Sequence, residues 1–312
     1  MNEKNICFVT SNLKNPDSEG AQKTFYNIAS EFMINKKNKI ISLFGESLFD
    51  EHYIVNSNPF FINSKIRKIL SHDRVDTIFY MPSQSLTLST ILRIVMLKIF
   101  SPRSHFLIFL IQYNYPSFAS TNIARFIFKS SNFTLITSSY RFQNKFRLSD
   151  NNFLNLGVNS EKFRPVTDNT KKKLRKKYDL DTERILYLHV GHYTKLRGLE
   201  DLIFIKKHIS NSEVIIILSD FKKVNKSHID HLEKSGIKVI HKYLENINEF
   251  YQMSDFYIFP VRSELSSIGF PLSVVESLAC GVPVFSFRNE TLEKKSISNK
   301  ILFYNNTKEL NN

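Results

Sequence analysis

Cysteine is scarce in this sequence and tryptophan is absent. The chain of 312 residues has two cysteines, Cys7 and Cys280, which fall on a predicted strand and at a predicted helix end. Such sparse cysteine argues against a disulfide-stapled scaffold and indicates a reduced, intracellular protein with two buried thiols. The nine histidines form no cluster with the spacing of metal ligands, so we predict no bound metal.

Long hydrophobic runs are absent as well. The longest apolar stretch, Leu86–Phe100, is interrupted by Arg93 and Lys98, and it is too short and too charged to span a bilayer. We predict one helix over Pro82–Phe100, for which two interpretations stay open. The favoured one is a core helix of a doubly wound sheet, and the other is an amphipathic helix that docks on a membrane.

Acidic residues are too few to balance the basic ones. The sequence has 43 Lys and Arg against 29 Asp and Glu, a net charge of +14 at pH 7, so we expect an anionic partner. Nucleic acid and the anionic inner leaflet of a membrane are both candidates. No helix-turn-helix, zinc-finger or aromatic RNA-binding signature occurs, so we predict no nucleic-acid partner. The basic run Lys171–Lys177 is typical of a solvated helix face, and otherwise of a contact with an anionic surface.

No Gly-x-Gly-x-x-Gly sequence follows the first predicted strand, Asn5–Thr10, which argues against a dehydrogenase. The chain does have strands that alternate with helices, twice over. This alternation predicts an α/β protein with two doubly wound parallel sheets. The other predicted strands are Lys39–Phe44, Asp76–Tyr80, His105–Gln112, Phe133–Thr137, Arg184–Val190, Val214–Leu218, Ile237–Ile240, Phe256–Phe259 and Val282–Phe287.

A boundary signal lies at Asn155–Pro165, where Gly, Asn and Pro cluster after a strand and a charged run follows. A chain of this length is long enough for two domains, each with a core of its own. We therefore predict an N-terminal domain over residues 1–165 and a C-terminal domain over residues 166–312.

The stretch Phe259–Phe287 has the pattern strand, loop, helix, strand. Pro271 fits the first turn of the helix, and Gly281 fits the position just past its end. The predicted apolar face of this helix consists of Leu272, Val275, Leu278 and Ala279. A helix N-terminus favours an anion, and Glu276 is placed to accept hydrogen bonds from sugar hydroxyls. The residues alone leave two interpretations open, a nucleotide-sugar site and an ordinary α/β unit with a solvated glutamate.

The segment Ile268–Val284 resembles the signature of glycosyltransferase family 4, the group 1 glycosyltransferases of GT-B fold. It reads Ile-Gly-Phe-Pro-Leu-Ser-Val-Val-Glu-Ser-Leu-Ala-Cys-Gly-Val-Pro-Val. Asn155–Pro165 is similar to the family's Asn-Gly-Val-Asp…Phe-Arg-Pro segment. The resemblance implies two Rossmann-like domains that face each other across a cleft, the N-terminal one on the acceptor side and the C-terminal one binding the donor. Family members usually continue past the last strand with further helices, whereas this sequence ends at Asn312.

Within that signature, Glu276 matches the glutamate that holds the donor ribose in the family. Ile268 stands where the family usually has another glutamate, so one contact with the donor sugar is missing. Glu264, four residues upstream, is a candidate to replace that contact.

The loop after Arg184–Val190 resembles the family's Gly-Arg…Lys-Gly motif, in which Arg and Lys grip the donor diphosphate. His192 stands at the Arg position and Arg197 at the Lys position, and Lys195 is a further cation in the same loop. Arg197 has a permanent charge and a fork of donors that suits phosphate, whereas histidine is largely neutral near pH 7.

Two places in the N-terminal half also resemble the family. The step into a helix at Gly20 is similar to the family's Gly-Gly loop, with one glycine kept. The family often carries a histidine near the reacting sugar carbon, in the loop after the strand His105–Gln112. Here Tyr113 and Asn114 are the polar groups in that loop.

The resemblance implies a retaining, metal-independent glycosyltransferase that needs no cofactor. It would transfer a sugar from a nucleoside diphosphate sugar to a glycan or lipid-linked acceptor in cell-envelope synthesis. Arg197, Lys195 and Glu276 are the expected catalytic residues. The expected donor-binding residues are Gly191, His192, Glu264, Ile268, Gly269, Phe270, Pro271, Leu272 and Glu276.

We expect a cytoplasmic protein, and the basic charge suits a peripheral position at the inner face of the cell membrane. The alternative is a catalytically weak or inactive GT-B protein that acts as a partner subunit in an envelope-glycan complex. Ile268 favours this alternative, whereas Glu276 and Arg197 oppose it.

Overall fold

The chain divides into two compact units, Met1–Asn155 (unit 1) and Leu156–Asn312 (unit 2). The structure is a computed structural model. It describes residues 4–14, 20–56, 58, 60–72, 74–82, 86–114, 116–219, 224–295 and 298–311, without the side chains of Glu264 and Asn311. The domain boundary predicted from sequence lies slightly further along the chain, after residue 165.

Unit 1 is a parallel sheet with helices between its strands. Its strands are β1 (Ile6–Leu13), β2 (Lys39–Gly45), β3 (His52–Ile54), β4 (Thr77–Met81), β5 (His105–Leu110) and β6 (Phe133–Thr137), and its helices are α1 (Gly20–Phe32), α2 (Ser64–His72), α3 (Leu88–Phe100), α4 (Phe118–Ile127) and α5 (Tyr140–Phe146). The six strands are ordered β3-β2-β1-β4-β5-β6, and every neighbouring pair is parallel.

The strands of unit 1 form its core. Cys7, Phe8 and Val9 on β1 are all buried, and the core extends outward to Phe106 on β5 and Phe142 on α5. Helices cover both faces of a sheet of this kind, which is why its strands are nearly uninterrupted apolar sequences.

Unit 2 repeats this architecture. Its strands are β7 (Ile185–Gly191), β8 (Ser212–Leu218), β9 (Lys238–His241), β10 (Phe256–Phe259), β11 (Val284–Phe287) and β12 (Ile301–Tyr304), and its helices are α6 (Asp168–Lys177), α7 (Glu200–His208), α8 (Lys226–Lys234), α9 (Ile247–Met253), α10 (Leu272–Ala279) and α11 (Glu290–Lys295). The six strands are ordered β12-β11-β10-β7-β8-β9, again all parallel. The prediction of two doubly wound parallel sheets is confirmed.

In both sheets the strand order reverses beside the first strand of the unit. In unit 2 this reversal lies between β7 and β10, which pair directly with each other. Open α/β sheets bind their ligands outside the carboxyl ends of the strands at such a switch point. A ligand site is therefore expected at two loops. They are the loop after β7 (residues 192–199, the β7 loop) and the loop after β10 (residues 260–271, the β10 loop).

Some of the predicted element bounds were wrong. The short strand β3 and the helix α2 were not predicted. Helix α3 begins at Leu88 rather than Pro82, because Thr87 caps it and its hydroxyl accepts a hydrogen bond from the Thr90 N–H at 3.1 Å. Over the described part of the chain, no helix is both long and apolar enough to cross a membrane.

The predicted apolar face of α10 was also wrong. The residues of α10 that are buried are Leu272, Val274, Glu276 and Ser277, whereas Val275, Leu278 and Ala279 are only partly buried. Polar side chains tolerate burial where their hydrogen bonds are made. Here Ser277 Oγ donates to the Val282 carbonyl at 3.1 Å, and Glu276 accepts from Tyr251 at 2.8 Å.

The basic run Lys171–Lys177 on α6 was predicted to be a solvated helix face, and this prediction is only partly right. Arg175 is buried, and its Nη2 donates to Asp255 Oδ2 at 2.6 Å. Its Nε donates to the Met253 carbonyl at 3.0 Å. This residue therefore joins α6 to the end of α9 and the start of β10.

Candidate functional site

The β7 loop and the β10 loop are joined to each other at the switch point of unit 2. The Arg262 N–H donates to the Leu196 carbonyl at 2.8 Å, and the Arg197 side chain donates to the Ser266 carbonyl at 2.7 Å. The two loops therefore form one structure at the carboxyl edge of the sheet, and the candidate site is built from both.

Arg197 is a buried cation within the β7 loop. Only 7% of it is exposed, and it lies in a short 3-10 helix, Lys195–Arg197, within the β7 loop. Its Nη2 bonds to the Ser266 carbonyl, whereas its Nε is buried without a hydrogen-bond partner. Among the described side chains, no carboxylate forms an ion pair with it. Burial lowers the pKa of this guanidinium below its ordinary value because a charge is costly to remove from water.

Gly191 gives Arg197 its place. A Cβ atom at this glycine would lie 2.1 Å from Arg197 Nη1 and 3.3 Å from His189 Nε2, so no side chain fits here. Gly198, just after Arg197, has a φ of +56°, and a Cβ atom there would lie 2.6 Å from the Pro260 carbonyl oxygen. Both glycines permit the close approach of the β7 loop to its surroundings.

His189 on β7 is buried beside Arg197. Its Nδ1 lies 2.9 Å from the Ile258 carbonyl oxygen, which can only accept, so Nδ1 carries the proton and Nε2 is an acceptor. Burial and then the positive charge of Arg197 lower the pKa of His189 to about 3, so the imidazole is neutral at physiological pH.

Several buried polar atoms of these loops have no hydrogen-bond partner. Within the described part of the chain they include Thr194 Oγ1 in the β7 loop, Ser267 Oγ in the β10 loop, Arg197 Nε and His189 Nε2. Unpartnered buried polar atoms are uncommon and costly. Their concentration at one edge of the sheet is typical of a site for a polar ligand.

Helix α10 leaves the β10 loop and brings Glu276 to the same region. Pro271 is the residue just before the helix, with φ −67° and ψ 122°, and no side chain caps the helix. Glu276 is 5% exposed, and its Oε2 accepts a hydrogen bond from the Tyr251 hydroxyl at 2.8 Å. Burial and the charge of Glu276 raise the pKa of Tyr251, which keeps this hydroxyl protonated as a donor.

The structure brings most of the predicted donor-side residues together on these two loops and α10. Gly191 and His192 end β7 and start its loop, and Lys195 is exposed on the same loop. Ile268 is partly buried in the β10 loop. The residues Gly269, Phe270, Pro271 and Leu272 that follow it are all buried. The side chain of Glu264 lies outside the described residues, so its predicted contact stays a prediction.

The predicted residues of unit 1 lie at the corresponding edge of the other sheet. Gly20 is the first residue of α1, and residues 15–19 before it lie outside the described part of the chain. Tyr113 and Asn114 follow β5. The Tyr113 ring is buried against Phe142, with centroids 5.0 Å apart, and Arg141 lies over it at 5.9 Å. Asn114 Oδ1 is buried without a hydrogen-bond partner.

Sequence reasoning missed four residues of the unit 2 site. They are His189, Asp201, Tyr251 and Arg262. Asp201 accepts hydrogen bonds from Arg262 on the β10 loop at 2.7 and 2.8 Å, and Tyr251 supports Glu276. The available signal for Asp201 was its position as a charged residue in the first turn of α7, just after the β7 loop. The signal for Arg262 was its charge near the start of the β10 loop. Nothing local marked His189 or Tyr251, which lie within an ordinary strand and an ordinary helix.

Unit 2 matches a known protein family. Residues 170–310 match the family model described as glycosyl transferases group 1. The matched residues make up most of unit 2, so unit 2 is similar to the group 1 glycosyl transferases. The sequence signature that predicted this family lies within the matched residues. Among curated proteins, no sequence matches the chain.

Solved glycosyltransferase structures share the fold of nearly the whole chain. HepE of Anabaena, in complex with UDP and glucose, has a TM-score of 0.71 at 12% identity, with 99% of this chain and 88% of HepE covered. A glycosyltransferase from Rickettsia africae has a TM-score of 0.73 at 17% identity, with 99% and 86% covered. WaaG, a glycosyltransferase involved in lipopolysaccharide biosynthesis, has a TM-score of 0.67 at 14% identity, with 98% and 88% covered. These matches show that the chain has the GT-B fold.

The site in unit 2 has two chemical capacities. A buried guanidinium and an uncapped helix N-terminus both favour a bound anion. A buried carboxylate held by a tyrosine hydroxyl accepts hydrogen bonds from hydroxyl groups. Among the described residues, no group of three or more His, Cys, Asp or Glu side chains is arranged to hold a metal ion.

Proposed function

We propose that this protein is a glycosyltransferase whose unit 2 binds a nucleoside diphosphate sugar and whose unit 1 contacts the acceptor. The observation that carries the proposal is the state of Arg197. Its guanidinium is buried at the switch point, it has no ion pair among the described carboxylates, and its Nε has no partner. A buried charge without a counter-charge is strongly unfavourable, so a bound anion would supply what the site lacks.

A diphosphate is the anion that fits this place best. The guanidinium offers donors in a fixed plane that match phosphate oxygens, and Lys195 is an exposed cation on the same loop. The N-terminus of α10 adds free N–H groups, because Pro271 has no side chain that could cap it. His192, the first residue of the β7 loop, is a further candidate for a contact with the diphosphate.

Glu276 would hold the ribose of the donor. Tyr251 occupies one of its carboxylate oxygens at 2.8 Å, which fixes the plane of the carboxylate. Carboxylate oxygens accept from vicinal hydroxyl groups, whereas they repel phosphate. The cations of the β7 loop would thus bind the diphosphate, and the carboxylate on α10 would bind the ribose.

We propose a retaining, metal-independent reaction without a further cofactor. The bond between the sugar C1 and the diphosphate oxygen breaks, and a bond from C1 to the acceptor oxygen forms on the same face of the sugar. The acceptor hydroxyl gives its proton to the departing phosphate, so no side-chain base is required. Arg197, Lys195 and the α10 N-terminus stabilise the negative charge that develops on the diphosphate.

The acceptor we propose is a glycan or lipid-linked glycan of the cell envelope. HepE was solved with UDP and glucose and WaaG is involved in lipopolysaccharide biosynthesis, which supports this class of donor and acceptor. The net charge of +14 suits a peripheral position on an anionic membrane face.

Calorimetry with a panel of nucleoside diphosphate sugars tests the donor site. We expect one donor to bind selectively, and Arg197→Ala and Glu276→Ala each to weaken it by about tenfold to a hundredfold, the usual effect of losing a hydrogen bond to a charged group. Lys207→Ala and Glu233→Ala are the matched controls, since both residues are exposed on other parts of unit 2.

A folded protein that binds no donor would overturn the proposal. That result, together with Ile268 in place of a glutamate, would favour the alternative of a partner subunit without transferase activity. Selective binding lost in both site variants and kept in both controls would name the sugar for turnover assays.

A further inference from the structure

Helix α3 of unit 1 exposes an entirely apolar face. Four of its residues are exposed, and they are Leu88, Leu92, Val95 and Ile99. Their spacing of four, three and four positions places them on one side of the helix. The opposite side is buried through Ile91, Ile94 and Leu97. The exposed side of a surface helix is normally polar, so α3 is built to be covered on both sides.

Helix α4 enlarges this face. It exposes Phe118, Ile123 and Phe126, two of them by about four-fifths of their surface (84% and 79%). The two helices are in contact, and the rule of right-handed crossovers places both on the same side of the sheet. We call these seven residues, four on α3 and three on α4, the α3–α4 face. Large exposed apolar side chains on two adjacent helices are typical of an interaction site.

The segment that carries the α3–α4 face has charge of one sign. Between Asp76 and Asp150 the sequence contains no Asp or Glu, although it has eight Lys and Arg. Four of these basic residues are exposed near the ends of α3, α4 and α5, namely Arg103, Arg125, Lys129 and Arg147. An apolar face in a segment that has basic but no acidic residues is complementary to a surface that is apolar inside and negative outside.

We propose that the α3–α4 face docks on an anionic lipid bilayer. A second copy of this chain fits less well, because the face lacks acidic groups and its basic residues would oppose their own copies across a twofold interface. A bilayer offers acyl chains to Phe118, Phe126 and the α3 stripe, and lipid phosphates to the flanking basic residues. The inference names the face that would hold the peripheral position proposed above, and it does not depend on the donor site.

Flotation with lipid vesicles tests the proposal on the full chain. We expect binding to phosphatidylcholine vesicles that contain phosphatidylglycerol, weak binding to phosphatidylcholine alone, and a decrease of binding with added salt. The double variant Leu92→Gln/Ile99→Gln should weaken binding by about tenfold or more, since it removes two side chains from the apolar contact. Both residues are exposed, so the variant should keep its fold and its nucleotide affinity.

Ile34→Gln is the matched control. Ile34 is 84% exposed and follows α1, whose crossover from β1 to β2 runs in the opposite direction to that of α3 and places it on the other side of the sheet. The chain has no tryptophan, so Val95→Trp and Ile34→Trp supply a fluorescence reporter at each place. We expect a blue shift on anionic vesicles for tryptophan at position 95 and none for tryptophan at position 34.

Three results would overturn the proposal. The native chain would fail to bind anionic vesicles, the double variant would bind as the native chain does, or tryptophan at position 95 would keep its emission with vesicles present. A dimer that Leu92→Gln/Ile99→Gln dissociates, seen by light scattering without vesicle binding, would assign the face to a second copy instead. Loss of vesicle binding with donor binding intact would separate this inference from the proposed function.

Discussion

The Arg262 guanidinium is paired with the buried carboxylate of Asp201. Its Nη2 lies 2.7 and 2.8 Å from the two oxygens of Asp201, and its Cζ lies 3.9 Å from the centre of the Phe287 ring. The same carboxylate accepts hydrogen bonds from Tyr304 and Thr307, each at 2.6 Å. Asp201, in the first turn of α7, thus connects to the β10 loop through Arg262 and to the end of β12 through Tyr304. These contacts fix the β10 loop beside α7, which follows the β7 loop.

Removal of Arg262 should destabilise unit 2. In Arg262→Leu the Asp201 carboxylate stays buried without its cation, and we expect the free energy of unfolding to fall by about 3 kcal/mol. Arg288→Leu is the control, because Arg288 pairs with Glu293 at 2.7 Å on the surface and should cost less than about 1 kcal/mol. Urea denaturation followed by circular dichroism measures both. Equal effects would show that the Asp201–Arg262 pair has no special role.

A methyl group at Gly191 should displace Arg197. In Gly191→Ala the new Cβ would lie 2.1 Å from Arg197 Nη1, so the guanidinium has to move and donor affinity should fall by about tenfold or more. In Gly157→Ala the Cβ would meet no atom within 4 Å, so donor affinity should stay unchanged. Calorimetry with the selected donor compares the two, and unchanged binding in Gly191→Ala would argue against Arg197 as the diphosphate ligand.

The Tyr251 hydroxyl should act on donor binding through Glu276. Tyr251→Phe removes the hydrogen bond at 2.8 Å and frees the carboxylate to rotate, so we expect donor affinity to fall by about three- to tenfold. Glu276→Gln removes the charge that strengthens the hydrogen bonds of the carboxylate, so we expect a larger loss of donor affinity than in Tyr251→Phe. If the nucleoside diphosphate is replaced by inorganic diphosphate, which has no ribose, neither variant should weaken binding. A similar loss with inorganic diphosphate would place Glu276 elsewhere in the site.

His189 should make the protein less stable in mild acid. Its pKa of about 3 in the folded chain lies below the ordinary value of 6.5. The protein therefore has its full stability with respect to this residue above pH 6.5. The free energy of unfolding decreases as the pH falls from 6.5 towards 3, because the unfolded chain binds a proton at His189 more readily than the folded chain does. Between pH 7.5 and 5 we expect a loss of about 2 kcal/mol in the free energy of unfolding. His189→Asn keeps a donor for the Ile258 carbonyl and should not show this loss. Parallel slopes of stability against pH in the two proteins would contradict the assignment.

Both cysteines should be unreactive in the folded protein. Burial raises the pKa of Cys7 and of Cys280 to about 12, with the charge of Glu276 contributing at Cys280. Only the thiolate reacts with iodoacetamide, and at pH 8 about one thiol in ten thousand would be ionised. Mass spectrometry should find neither cysteine labelled until urea is added. Rapid labelling of Cys280 in the native chain would indicate that the α10 region opens.

The fold was predictable because its signals are local. Alternating apolar strands and helices gave the two doubly wound sheets, and Phe133–Thr137 and Phe256–Phe259 were predicted with the bounds that the structure has. The β3 strand was missed because three residues carry too little pattern. The face of α10 was missed because Glu276 and Ser277 are polar, and their burial depends on Tyr251 and Val282, which only the folded chain brings near.

The sequence by itself determined the fold class and the resemblance of unit 2 to the glycosyl transferase family, since loops, helix ends and scarce glycines are encoded within a few positions of one another. Only the tertiary structure decided the state of the side chains. It buried Arg197, kept His189 neutral, and formed the pairs Tyr251–Glu276 and Asp201–Arg262. The hydrogen bonds of His189 and of these two pairs join residues that are 25 to 69 positions apart in the sequence. No local pattern specifies such contacts, because they form only when elements that are distant in the sequence pack against one another.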